Sequence, residues 1–123
     1  MSYLNNRPKT ILCDIDGTLV KHISPSETAK PNFKMELLPG TIEKLTEWDI
    51  KGYNIILISG RREGARKETE KQLAEVGIIY DKLILGVGGG VRVLLNDKKP
   101  DGTIETALAY NLIRNKGIKN LEI

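Results

Sequence analysis

Apolar residues in this chain fall into short continuous runs separated by amphipathic stretches. The run Thr10-Ile11-Leu12-Cys13-Asp14 predicts a first β-strand. Tyr53-Asn54-Ile55-Ile56-Leu57-Ile58-Ser59 predicts a second, apolar almost throughout, as expected where both faces of a parallel sheet are covered. Lys82-Leu83-Ile84-Leu85 and Val91-Arg92-Val93-Leu94-Leu95 predict two more. After Pro39-Gly40-Thr41, the residues Ile42, Leu45 and Trp48 recur at helical spacing. A charged helix is predicted from Glu63 to Val76 and a last one from Thr106 to Lys116. Gly52, Gly77 and Gly117 follow the three helices, where a left-handed residue is needed to end them. The tail, Ile118 to Ile123, is expected to add an edge strand.

This alternation predicts an α/β fold: a Rossmann-like three-layer sandwich with a mainly parallel central sheet and right-handed crossovers. No linker or repeat interrupts it, so residues 1–123 read as one domain, with a polar, proline-containing flap over 20–38. In such sheets ligands bind outside the carboxyl ends of the strands. That rule selects Asp14 with Asp16, Ser59 with Gly60, and Asn96 with Asp97.

Composition changes this picture little. No apolar run approaches the roughly 18 residues of a membrane span, and Met1 to Lys9 lacks a signal-peptide pattern. A cytoplasmic location is therefore expected. The single cysteine, Cys13, excludes an internal disulfide and reads as a buried, inert thiol. The net charge of +3 is mild, its signs are interleaved, and aromatics are 5% of residues. Charge and composition thus disfavour nucleic acid as a partner.

The selected residues suit phosphate chemistry. Asp14 and Asp16 straddle a strand end and can share one Mg²⁺, one by its side chain and the other by its backbone carbonyl. Gly17 lets the chain turn sharply where a phosphate would approach. A carboxylate can attack phosphorus to give an aspartyl-phosphate, dividing one hard displacement into two easier ones. Gly86-Val87-Gly88-Gly89-Gly90 is not a dinucleotide loop, because a strand pattern rather than a helix follows it.

Asp14-Ile15-Asp16-Gly17-Thr18, after an apolar strand, resembles the first motif of the haloacid dehalogenase-like (HAD) phosphatase superfamily. Ser59 before Gly60-Arg61 resembles the second motif, and Asn96-Asp97 the fourth. The resemblance implies a Mg²⁺-dependent phosphomonoester hydrolase. Asp14 would be the nucleophile and Asp16 the acid and base. Ser59 would hold the phosphoryl group, with Gly17, Thr18, Gly60, Arg61 and Arg62 binding substrate. Asp14, Asp16, Asp97 and Asn96 would hold the metal. Asp101 is a further candidate acid. The third motif should supply a lysine or arginine; Arg92 is the nearest basic residue and Lys98 the next. Arg62 and Arg66, four apart, share a helix face that suits a second phosphate or a carboxylate. His22, the one histidine, reads as a solvated loop residue.

Neither gap between motifs holds a cap domain, so the chain resembles the capless members. Those act on large substrates or use a neighbouring subunit as cover. The expected substrate is a small phosphorylated metabolite such as a sugar phosphate, with a homo-oligomer closing the site. Two alternatives stand beside it. Ile58-Ser59-Gly60-Arg61-Arg62-Glu63-Gly64 is similar to the phosphatase half of polynucleotide kinase-phosphatases, which implies action on nucleic-acid 3′-phosphate ends. The other is a catalytically weak HAD-like domain that binds a phosphorylated ligand or partner.

Overall fold

The computed structural model describes residues 7–100 and 105–123. Among these residues the sheet has three parallel strands, β1 (Thr10–Asp14), β2 (Asn54–Ile58) and β3 (Lys82–Ile84), in that spatial order. Asp14 lies opposite Ile58, and Ile58 opposite Ile84, so the three carboxyl ends are level. Three helices accompany them: α1 (Pro25–Thr28), α2 (Thr41–Ile50) and α3 (Arg66–Glu75). A 3₁₀ turn over Glu63–Ala65 leads into α3, dividing the single helix expected from Glu63.

The core follows from strand alternation. Ile11 and Cys13, Ile55 and Leu57, and Leu83 point to one face and are buried. Leu45 and Trp48 of α2 and Leu73 of α3 join the same cluster, so both helices cover that face. Each such side chain contributes about 1.5–3 kcal/mol through removal from water. The opposite face carries Leu12 and Ile84, 50% and 44% exposed. The helices end as expected at Gly52 (φ 77°) and Gly77 (φ 80°).

Near the C-terminus, Ile118 is buried and its amide donates to the Pro39 carbonyl at 2.9 Å. The approach is so close that a side chain on Gly40 would meet the Lys119 backbone, and one on Gly117 would meet Pro39. Gly117 therefore serves a crossing of two segments, not the end of a helix.

Three expected elements do not form. Val91 to Leu95 is not a strand, and Val91, Val93 and Leu95 are 93%, 77% and 90% exposed. Arg92 folds this run back by donating from Nη1 to the carbonyls of Gly88 and Gly90, both at 3.0 Å. Such local bonds compete with a ladder. Residues 106–116 do not form a helix, and Leu108, Tyr110, Leu112 and Ile113 are exposed. A helix this short is marginal in water unless an apolar face is docked. The parallel sheet with its helices is nonetheless the expected α/β, Rossmann-like fold, and among the described residues α2 and α3 both lie on one face of it. Residues 118–123 form turns rather than an edge strand, with Leu121 and Ile123 packed against the core.

Between β1 and α2 the flap contains only α1, and no cap-sized insertion occurs there. No described helix is long and apolar enough to cross a membrane.

Candidate active site

Asp14 ends β1, and its Oδ1 accepts the Ile15 amide at 3.1 Å. The residue as a whole is exposed, yet its carboxyl is pushed above the ordinary aspartate value. Burial of the carboxyl is the largest cause; the Ile15 hydrogen bond and the charges of Arg92 and His22 oppose it, and Asp16 adds to it. Arg92, exposed on its loop, thus sits within electrostatic reach of the candidate nucleophile.

Beyond Asp14 the chain makes a tight loop centred on the Ile15 carbonyl. The amides of Thr18, Leu19 and Val20 all donate to it, while the Gly17 amide donates to the Val20 carbonyl at 2.7 Å. The amides of Gly17 and Thr18 are therefore committed within the loop. Gly17 takes φ 90°, a conformation open to glycine. Thr41 Oγ1 donates to the Leu19 carbonyl at 2.6 Å and fixes the far side of the loop to α2.

Ser59 follows β2 and is buried. Its Oγ accepts the Arg61 amide at 3.0 Å, a bond that does not use its own O–H as donor. Gly60 passes close to the Val87 carbonyl, which a side chain there would approach to 3.1 Å. Arg61 turns back to the first loop. Its Nε and Nη2 donate to Asp16 Oδ2 and Oδ1 at 3.1 and 2.9 Å, a two-bonded pair of the strong kind. The structure thus brings together Asp14, Asp16, Ser59 and Arg61 at the level ends of β1 and β2.

The other candidates are placed differently. Arg62 is exposed before the 3₁₀ turn. Arg66 does not join it at an anion site: its guanidinium binds Glu63 at 2.8 and 2.9 Å and the Leu83 carbonyl at 2.9 Å. Asn96 and Asp97 are not delivered by a strand end. The Asn96 amide donates to Thr106, whose hydroxyl donates to the Asp97 carbonyl. The Asp97 carboxylate lies 3.6 Å from Lys99, and Lys98 lies 3.9 Å from Glu105. Asp101 falls outside the described residues. His22 is exposed, its amide bound by Asn115 Oδ1 at 2.8 Å.

Two residues near the site carried no sequence signal. Arg114 packs its side chain against Gly17, and the Asn115 amide donates to the Gly17 carbonyl at 2.9 Å. Asn115 takes φ 64°, which asparagine tolerates better than most residues. A tertiary contact across this distance leaves no local pattern to read.

The carboxylate of Asp14 and the carbonyl of Asp16 are hard oxygen donors that suit Mg²⁺. The remaining ligands are not gathered: among the described residues no group of three His, Cys, Asp or Glu side chains could hold a metal.

Comparison with known proteins decides the family. The profile of the polynucleotide kinase PNKP phosphatase domain, a HAD domain, matches residues 8–116. The chain belongs to that family. It is thereby a phosphatase domain of the HAD type, a class that hydrolyses phosphoric monoesters. Two solved structures are similar. "Structure of Pnkp1/Rnl/Hen1 complex" has 33% identity and a TM-score of 0.55, covering 70% of this chain and 30% of that chain. "Structure of the Pnkp1/Rnl/Hen1 RNA repair complex" has 32% identity and a TM-score of 0.53, covering 76% and 28%. This HAD domain thus spans under a third of either relative. No curated protein matches it significantly.

Proposed function

We propose that this domain removes the phosphate from 3′-phosphorylated nucleic-acid ends through an aspartyl-phosphate on Asp14. The observation that carries the chemistry is the placement of Asp14, Asp16 and Ser59 at the level ends of two paired strands, with Asp16 clamped by Arg61. The family match and the similarity to a chain of an RNA repair complex support the substrate. They favour this reading over the small metabolite expected from the capless resemblance and the mild net charge.

In this reading an Asp14 carboxylate oxygen attacks phosphorus and the bond to the leaving oxygen breaks. Asp16 gives its proton to that oxygen, and later takes one from the water that attacks the aspartyl-phosphate. The Ser59 hydroxyl donates to a phosphoryl oxygen. Arg92 supplies positive charge near Asp14. Gly60, Arg62 and the Thr18 hydroxyl are the proposed substrate contacts, whereas Asn96, bonded to Thr106, and Asp97, facing Lys99, are not placed to complete a metal site. When Mg²⁺ is bound at Asp14 and the Asp16 carbonyl, it offsets the negative charge between nucleophile and substrate.

The test is phosphate release from a 3′-phosphorylated oligonucleotide and from sugar phosphates, with and without Mg²⁺. Release from the oligonucleotide, dependent on Mg²⁺ and abolished by Asp14→Asn, is expected. Faster release from a sugar phosphate would overturn the substrate; release surviving Asp14→Asn would overturn the nucleophile.

A further inference from the structure

Thr69 and Gln72 of α3 are fully buried polar residues with no part in the steps above. Both turn toward Arg61. The Arg61 Nη1 donates to Gln72 Oε1 at 2.8 Å and to Thr69 Oγ1 at 3.4 Å. That occupies one corner of the guanidinium and leaves Nε and Nη2 aimed at the two oxygens of Asp16. The far end of the Gln72 amide donates to the Thr28 carbonyl at 3.0 Å, the last residue of α1 in the flap. The orientation of this amide is forced. Arg61 can only donate and the Thr28 carbonyl can only accept, so only a group with one acceptor and one donor satisfies both.

A buried amide with either end unmet is costly. An apolar side chain here would let the guanidinium rotate away from Asp16, and a carboxylate would compete with Asp16 for it. We infer that Gln72 is a positioning residue: through Arg61 it fixes the carboxylate of Asp16, and it links that orientation to the seating of the flap helix α1. The inference rests on the phosphatase reading, in which Asp16 carries the proton.

A role through Asp16 has a signature that general stability lacks. A sugar hydroxyl must be protonated as it leaves, whereas nitrophenolate leaves without a proton. The value of kcat/KM reports phosphoryl transfer to Asp14, before Asp16 acts as a base. Gln72→Met is therefore expected to lower kcat/KM for a 3′-phosphorylated oligonucleotide about tenfold or more, with p-nitrophenyl phosphate changed less than about threefold. Equal losses on both, or none on either, would overturn the inference while leaving the phosphatase reading intact. A wild type that releases phosphate from neither substrate would overturn that reading and the inference with it.

The clamp is also visible without substrate. The Arg61 side-chain Nε–H should give an NMR signal protected from solvent exchange, assigned by its loss in Arg61→Lys. It should disappear in Asp16→Asn and weaken in Gln72→Met. If Gln72→Met does not fold, the wild-type signal decides: an Arg61 Nε–H in fast exchange would overturn the inference.

Discussion

Cys13 and Asp14 are neighbours on β1, yet alternation sends them into opposite surroundings. Cys13 points into the core, and its thiol is pushed up to about 12 by burial, with the charge of Asp14 adding to the effect. The sign of the consequence is fixed by linkage. From its ordinary value of 9.0 upward, the unfolded chain loses the thiol proton while the folded chain keeps it until about 12. The unfolded state then binds fewer protons, so stability falls as pH rises through this window. Urea midpoints measured from about pH 8 to about pH 11 should fall more steeply in wild type than in Cys13→Ala; parallel curves would contradict this. The same burial predicts that iodoacetamide labels Cys13 only after unfolding, as mass spectrometry would show.

At the scale of elements, glycine separates two kinds of loop. Gly40 has φ 86° and lies against the Lys119 backbone, while Gly88 has nothing within 4 Å of an added Cβ. Gly40→Ala should cost about 1–3 kcal/mol from strain and collision. Gly88→Ala should stay within about 0.5 kcal/mol. Denaturant midpoints would check both. This contrast also explains what was legible in the sequence. β1, β2, α2 and the ends at Gly52 and Gly77 follow local rules: apolar runs, helical spacing and a left-handed glycine. Asp14, Asp16 and Ser59 were legible because each lies at or just beyond such a strand end. The segment 91–95 misleads because its apolar run fits a pleated surface only where a partner strand lies beside it. Asn96 and Asp97 lost their strand-end position with it. The roles of Arg61, Gln72 and Asn115 were hidden, since each depends on a contact with a distant segment. The motif resemblance implies a substrate-binding Arg61, whereas in the structure its guanidinium holds Asp16.

At the scale of the whole molecule, the described residues cover one face of the sheet and leave the other open. The apolar continuity of Ile55 to Ile58 suggested cover on both sides, yet α2 and α3 pack on the same side. Leu57 is fully buried beneath them, whereas Leu12, one strand away and pointing oppositely, is 50% exposed. This asymmetry should appear in stability. Leu57→Ala removes a side chain from a packed core and should cost about 2–5 kcal/mol, a large part of the roughly 5–15 kcal/mol that holds a domain folded. Leu12→Ala loses about half of one leucine's burial and should cost about 1 kcal/mol. Urea unfolding of the two variants measures both losses, provided the slopes match wild type. A Leu12→Ala loss as large as that of Leu57→Ala would mean that the second face is covered in solution. The exposed apolar residues of 106–113 would then be the first to examine for that cover, by repeating the measurement in Leu112→Ala.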